Sequence, residues 1–284
     1  MATRSIKSYA KINISLCIKK KNDNGYHELD SVMLPVELHD SIIITPLYQA
    51  HDNFVTVDDF SNGLVHYNLV GHCIDALADK YKFKNKFRLY IHKNIPMQAG
   101  LGGGSSNAAF TMKAVNSILK LNATDEELIK LATPLGADIP FFIPCVPARC
   151  RGIGEKIEPI EIKKDYYAIL VKPKEGVSTK EAFALCDKKP YKQIDIDKVV
   201  EALKEGDDDK LVEYMGNSME EAAMELVPEI KDVKNYLYDK GLKIVGMSGS
   251  GSTVFALSED KQLLTKILQE VEDKWFVEVC KIRK

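Results

Sequence analysis

The chain has 284 residues, 45% of them hydrophobic and 28% charged, which is the composition of a soluble globular protein of one large or two moderate domains. With 39 lysines and arginines against 41 aspartates and glutamates there is no global basic field, so nucleic acid is not an expected partner. Met1-Ala-Thr-Arg-Ser5 has no apolar signal core and no segment reaches the roughly 18 apolar residues of a membrane span, so a cytoplasmic protein without a membrane partner is expected.

In chain order, residues 12–18 alternate cleanly. Ile12, Ile14, Leu16 and Ile18 share one face, and Lys11, Asn13, Ser15 and Cys17 the other, which predicts a strand with a polar second face. Asn22-Asp-Asn-Gly25 signals a turn, and extended segments follow over 28–46. Val70, Cys73, Ile74, Leu77, Ala78 and Tyr81 predict a helix from Leu69, and Phe87–His92 a strand. A helix on the face of Ala108, Met112, Val115 and Leu119 follows, then Thr124-x-x-Glu127 as a capping box. Tyr167–Val171 reads as a buried strand and Ser178-x-x-Glu181 as a second capping box. Helical stretches cover 195–239, and Gly241 sits at a helix C-terminus. Leu242–Met247 and Thr253–Leu257 are strands around Ser248-Gly-Ser-Gly-Ser252, and a helix over 259–272 and a strand over 275–282 finish the chain. Strands and helices are mixed without strict alternation, so the class is α+β. The turn at Gly152-Ile-Gly154 suggests two domains, 1–155 and 156–284.

The six cysteines stand at 17, 73, 145, 150, 186 and 280, with no C-x-x-C pair, which suits reduced thiols. The six histidines are dispersed, and no cluster argues for zinc.

Pro96-Met-Gln-Ala-Gly-Leu-Gly-Gly-Gly-Ser-Ser-Asn107 carries the most information. Gly100, Gly102, Gly103 and Gly104 clear Cβ atoms from a loop that opens a helix, so backbone N–H groups and the positive helix end face one point. A phosphate site is expected. Walker A fails because no lysine follows the glycines, and the dinucleotide fingerprint fails because Ser105 or Asn107 stands where the third glycine belongs. Ser105 and Ser106 are candidates for phosphate or Mg²⁺ contact, although Ser105 equally suits a helix cap. Asp138 stands beside Ile139-Pro-Phe-Phe142, where a carboxylate is costly unless paired or used. It reads either as a functional acid or as the cap of a turn before Pro140. Lys11 reads as a solvated strand lysine or as a site cation. Phosphoryl transfer needs a phosphate cradle, a carboxylate for the acceptor hydroxyl and a cation, and these three elements supply one each.

Together these blocks resemble the GHMP kinases, the family of galactokinase, homoserine kinase, mevalonate kinase and phosphomevalonate kinase. The resemblance rests on Gly100-Leu-Gly-Gly-Gly-Ser-Ser106, Ala10-Lys-Ile-Asn13 with Gly25-Tyr-His27, Gly136-Ala-Asp-Ile-Pro-Phe141 and Gly246-Met-Ser-Gly-Ser-Gly251, in order, over about residues 5–258. The glycine loop and the N-terminal blocks resemble the branch that acts on a cytidine diphosphate-linked methylerythritol in non-mevalonate isoprenoid precursor synthesis. The resemblance implies a ribosomal protein S5 domain 2-like N-terminal ATP-binding domain and a ferredoxin-like C-terminal α/β sandwich, with the active site in the cleft between them. It implies ATP and Mg²⁺ as cofactors, small-molecule substrates, and a monomer or weak homodimer. Asp138 would be the general base toward the C2 hydroxyl, with Lys11 beside it. ATP would be bound by Asn68, Lys93, Pro96, Met97, Gln98, Ala99, Gly100, Leu101, Gly102, Gly103, Gly104, Ser105, Ser106 and Asn107. The second substrate would meet Asn13, Tyr26, His27, Asp138, Thr179, Phe183, Gly249, Ser250 and Gly251, its cytosine between two aromatic rings with a histidine at its edge. Structural roles compete: a turn aromatic for Tyr26, helix core for Phe183, helix caps for Thr179 and Asn68, an exposed strand lysine for Lys93.

Three places in the chain depart from the family's usual pattern. Met97-Gln98 and Cys145–Cys150 stand where small or glycine-containing stretches are common, and Ser252 replaces a frequent proline, which would loosen its turn. Alternative readings are another small-molecule kinase of the family, acting on mevalonate, homoserine or a sugar, and a non-catalytic nucleotide-binding regulator.

Overall fold

The structure, a computed structural model, describes residues 3–22, 25, 27–47, 50–58, 69–189, 191–271 and 274–284. Tyr26 and Asn68 lie outside the described residues. In chain order the elements are β1 (Arg4–Lys21), β2 (His27–Leu47), β3 (Phe54–Asp58), α1 (Leu69–Tyr81), β4 (Lys86–His92), α2 (Gly103–Leu119) and α3 (Asp125–Ala132). A 3-10 turn (Pro140–Phe142) precedes β5 (Ala148–Gly152), β6 (Lys156–Pro159), β7 (Tyr167–Lys172), α4 (Thr179–Cys186), α5 (Ile196–Glu205) and α6 (Asp208–Tyr214). The chain closes with α7 (Glu220–Leu226), α8 (Glu229–Asp239), β8 (Ile244–Met247), β9 (Val254–Ser258), α9 (Lys261–Glu270) and β10 (Phe276–Lys281). Among the described residues no helix is long and apolar enough to cross a membrane.

Two compact units emerge, and each gathers several chain segments. The first is residues 1–10, 38–96 and 102–145; the second is 11–37, 97–101 and 146–284. Residues 11–37 and 97–101, on the N-terminal side of 155, thus belong with the C-terminal part. The reason lies in β1 and β2, each of which contributes residues to both units. The Gly152–Gly154 turn is the tip of the β5–β6 hairpin.

In the first unit β3 runs parallel to β4, across α1, and β4 pairs antiparallel with residues 41–47 of β2. β4 alternates as a half-buried strand should: Phe87, Leu89 and Ile91 are buried, while Arg88, Tyr90 and His92 are exposed. The apolar faces of α1 (Val70, Cys73, Ile74, Leu77) and α2 (Ala108, Met112, Val115) are buried. Thr124 caps α3 in a full capping box, its Oγ1 accepting from the Glu127 N–H and the Glu127 carboxylate accepting from the Thr124 N–H.

In the second unit the sheet order is β10-β7-β9-β8, all antiparallel. Along the chain α4–α8 lie between β7 and β8 and α9 between β9 and β10, which is the β-α-β-β-α-β pattern of a ferredoxin-like layer. Ile169, Val171, Val245, Met247, Val254 and Ala256 form its core with Ala223, Ile230, Val233 and Leu237 of α7–α8 and with Leu264 and Ile267 of α9. Leu16 and Ile18 of β1 join the same cluster. Ser178 caps α4, its Oγ accepting from the Glu181 N–H. Gly241 ends α8 at φ 82°, its N–H donating to the Tyr238 carbonyl.

Candidate functional site

The polar face of β1 is not solvated. Lys11 is 3% exposed, Asn13 and Ser15 are each 1% exposed and Cys17 is fully buried, so the strand is covered on both faces. Burial obliges each polar group to find a partner. The Lys11 Nζ donates to the Asn13 Oδ1 and, at 2.8 Å, to the Gly100 carbonyl. The Asn13 Nδ2 donates to the Ser31 Oγ at 2.8 Å, and the Ser31 Oγ donates to the Ser15 carbonyl at 2.7 Å. The solvated-strand reading of Lys11 is therefore overturned.

Gly100 is the meeting point of this network. The Ser248 Oγ donates to its carbonyl at 2.9 Å and accepts from the Asn13 N–H at 3.1 Å. Gly100 has φ 72°, and a Cβ there would stand 2.0 Å from the Ser248 carbonyl oxygen. A Cβ on Gly249 would meet the Gly100 oxygen at 3.2 Å and the Asn13 Oδ1 at 3.3 Å. Two glycines let two backbones touch, and the lysine is clamped beside them. The Asn217 Nδ2 holds the same turn by donating to the Met247 and Gly249 carbonyls at 2.9 and 2.7 Å. Ser31, Ser248 and Asn217 are not among the residues expected from the sequence. The serine opening the 248–252 glycine turn was a legible signal; the other two become visible only through their distant partners.

The glycine run divides at residue 102. Met97–Leu101 belong to the second unit, and from Gly102 the chain belongs to the first. There α2 begins at Gly103, inside the glycine run, with Gly102 at φ 70° as its N-cap and no side-chain cap. Ser105 is thus not the cap. Its half-buried hydroxyl has no hydrogen-bond partner among the described residues. The Ser106 Oγ turns inward to the Tyr9 carbonyl at 2.6 Å, and the Asn107 Oδ1 accepts from the Ser8 Oγ at 2.5 Å. Gly104 is exposed, with nothing within 4 Å of a Cβ placed on it. The first turn of α2 therefore presents open N–H groups at its positive end.

Lys93 is not an exposed strand lysine. It is 9% exposed and paired with the fully buried Asp40 carboxylate, whose other oxygen accepts from the Asn94 and Ile95 N–H groups at 2.8 Å each. Its ammonium would lie 3.0 Å from a Cβ on Gly103. A cation so near a helix N-terminus is itself repelled by the dipole, which Asp40 offsets and which a bound anion would offset further.

Asp138 is half-buried, just before the 3-10 turn. The N-cap of that turn is Ile139, whose own side chain makes no cap hydrogen bond. The segment is held by its own backbone, Ile139 N–H to the Gly136 carbonyl at 3.2 Å, and by the Lys113 Nζ donating to the Ile143 carbonyl at 2.6 Å.

His27 and Phe183 come together as one stack, ring centroids 4.4 Å apart and planes 12° from parallel. In this arrangement one face of each ring is covered by the other. The His27 Nε2 bonds the Asp187 Oδ1 at 2.7 Å. Lys21 and His27, in that order, hold the Asp187 carboxyl below the usual carboxylate range. Thr179 is the first residue of α4 rather than its cap, and its Oγ1 lies 2.8 Å from the Ser250 Oγ.

The departures from the family pattern also have physical readings. Gln98 and Cys145 both have left-handed backbones, φ 50° and 51°, where glycine is freer. Ser252 is fully buried and its Oγ donates to the Glu175 carbonyl at 2.6 Å, so that turn is anchored rather than loosened. Among the described residues no group of three or more His, Cys, Asp or Glu side chains is arranged to hold a metal ion.

Residues 68–144 match the family model of the GHMP kinases N terminal domain, and residues 199–277 that of GHMP kinases C terminal. A 4-diphosphocytidyl-2-C-methyl-D-erythritol kinase of Thermodesulfovibrio yellowstonii is 35% identical over 276 residues, 95% of this chain and 94% of that one. One of Clostridium tetani is 33% identical over 271 residues, covering 95% and 96%. A crystal structure of 4-(cytidine 5'-diphospho)-2C-methyl-D-erythritol kinase superposes with a TM-score of 0.81 at 27% identity, covering 99% of this chain and 100% of the other. Methanococcus jannaschii mevalonate kinase, at 17% identity and a TM-score of 0.71, shares the fold over 100% and 99%.

Proposed function

Because the chain belongs to the GHMP kinases, within them to the 4-diphosphocytidyl-2-C-methyl-D-erythritol kinases, we propose that it transfers the γ-phosphoryl group of ATP to the C2 hydroxyl of 4-diphosphocytidyl-2-C-methyl-D-erythritol. The observation that carries this reading is the uncapped, glycine-lined N-terminus of α2. Helix N–H groups left open by their own sequence are suited to phosphate oxygens. Pro96–Leu101 lead the chain into that turn, and Lys93 adds positive charge below it. Asn68, outside the described residues, is assigned with Lys93 to the nucleotide.

Asp138 takes the proton from the C2 hydroxyl, the freed oxygen attacks the γ-phosphorus, and the bond to the β,γ-bridging oxygen breaks to release ADP. Lys11 supplies the positive charge that favours the carboxylate and the forming alkoxide. Its clamp between Asn13 and Gly100 fixes that charge before substrate arrives. Ser105 is the loop hydroxyl that would help to hold a Mg²⁺ ion, which would supply charge neutralisation to the phosphates. Asn13, Thr179, Gly249, Ser250 and Gly251 line the acceptor's side.

The cytosine is assigned to the ring face of Phe183, with Tyr26 as the second ring and His27 at the edge. On the Phe183 face that His27 covers, the base would exchange an aromatic contact of about 0.5–1.5 kcal/mol for base stacking of about 1–3 kcal/mol. A Phe183→Ala variant is expected to bind cytidine diphosphate about ten-fold more weakly while its ATP affinity stays unchanged. Titration calorimetry with each nucleotide reads this, and unaltered cytidine diphosphate binding would remove Phe183 from the site.

The reaction itself is tested by mixing the purified chain with ATP, Mg²⁺ and the cytidine substrate and following ADP. Substrate-dependent ADP supports the proposal. ADP formed with mevalonate, homoserine or a sugar instead would move the chain to another member of the family.

A further inference from the structure

Lys172 ends β7 and is 6% exposed, yet its ammonium has no carboxylate partner among the described residues. Its Nζ donates to three consecutive backbone carbonyls, Pro173 at 2.8 Å, Lys174 at 3.2 Å and Glu175 at 3.4 Å. Three carbonyl oxygens turned toward one point form a cation nest, and without a cation their dipoles repel one another. Burial lowers the Lys172 pKa, so this ammonium is held at a cost in solvation that its carbonyl partners must offset.

The turn folded around Lys172 does not stand alone. The Glu175 carbonyl also accepts from the Ser252 Oγ at 2.6 Å. Gly176 packs so closely on Gln98 that a Cβ would lie 2.6 Å from the Gln98 Cβ and 2.9 Å from its carbonyl oxygen. The Val177 N–H donates to that same Gln98 carbonyl at 3.3 Å, and the Thr253 N–H donates to the Ala99 carbonyl at 3.3 Å. The 173–177 turn and Thr253, just before β9, thus grip residues 98 and 99, which immediately precede the Gly100 whose carbonyl Lys11 holds. Gln98 sits there with a left-handed backbone that a non-glycine residue does not choose unaided.

We propose that Lys172 is a positioning residue for nucleotide binding: its ammonium templates the 173–177 turn, and that turn fixes Gln98–Ala99 and with them the entry of the chain into the phosphate loop. This rests on the assignment of residues 96–107 to ATP. Lys172 touches neither substrate. It acts as a tethered cation in a carbonyl nest, so a small free cation with N–H donors can take its place once the side chain is cut away.

The test uses full-length Lys172→Ala and reads nucleotide affinity by calorimetric titration, which needs no turnover. ATP affinity is expected to fall about ten-fold, as for buried carbonyls left without a donor, while cytidine diphosphate affinity stays within about two-fold. Ammonium chloride is expected to restore most of the ATP affinity, and tetramethylammonium chloride at the same ionic strength is not, since it has no N–H. Unchanged ATP affinity, equal loss of both nucleotides, or loss that ammonium does not recover would overturn the proposal. Should Lys172→Ala not fold, Ser252→Ala removes the second donor to the Glu175 carbonyl. It is expected to weaken ATP alone, and ATP binding equal to wild type would overturn the proposal. Wild-type chain that binds ATP but forms no ADP with the cytidine substrate would sink the proposed reaction and leave this inference standing.

Discussion

An Asp138→Asn variant is expected to keep its fold and its ATP affinity and to lose roughly 10²–10⁴-fold in kcat, the usual span for a positioned general base. The amide has the carboxylate's shape but cannot accept the hydroxyl's proton. The variant keeps the backbone bond between Ile139 and Gly136 and the bond from Lys113 to the Ile143 carbonyl that brace the segment, and the isosteric amide fills the same space. Initial rates of ADP release at saturating substrates read the effect, with ATP titration as the control. A kcat within about two-fold of wild type would leave the transfer to positioning and phosphate charge alone, which a loose transition state partly permits.

Gly100→Ala is the second large effect. The new methyl would stand 2.0 Å from the Ser248 carbonyl oxygen and 2.9 Å from its carbon, with the Gly251 nitrogen at 3.3 Å. All three are backbone atoms, so no side chain can swing aside. The φ of 72° adds left-handed strain for any residue with a Cβ. Overpacking and strain together should cost about 2–4 kcal/mol, visible as a lower Tm. Separation of the loop from the 248–251 turn would also carry the Gly100 carbonyl away from Lys11. Because misplacement by about 1 Å can cost 10²-fold, kcat/KM should fall by at least that much. A variant that melts like wild type and turns over normally would refute the packing read here.

The sequence showed elements well wherever side chains repeat with the period of their own helix or strand. Alternation placed β4, and Thr124 with Glu127 placed the start of α3. It failed where meaning depends on a distant partner. Lys11 taken alone suits a solvated strand lysine as well as a site cation, because nothing nearby in the chain says that the Gly100 carbonyl accepts from it. Asp40, which pairs with Lys93, stands at the head of an extended run and looks like any exposed strand-end acid. Ser105 has the chemistry of a cap, but the helix begins two residues earlier, because four glycines let the backbone turn without one. His27 and Phe183 stack on one another, and nothing in their spacing along the chain shows it. The two-domain division was legible, whereas its interleaving was not, since a single boundary cannot describe strands that serve both units.

The position of β1 has a consequence for how the protein is made. Its residues 15–18 complete their hydrogen bonding with Gly216 and Ser218, and the Gly216 N–H donates to a serine hydroxyl 201 residues earlier in the chain. At about 5–20 residues per second, a ribosome needs roughly 10–40 s to deliver that partner. During this interval β1, apolar on one face and holding Lys11 on the other, remains half-paired. Nascent chains of this protein should therefore be clients of ribosome-associated chaperones, and their arrest before residue 216 should leave β1 sensitive to protease.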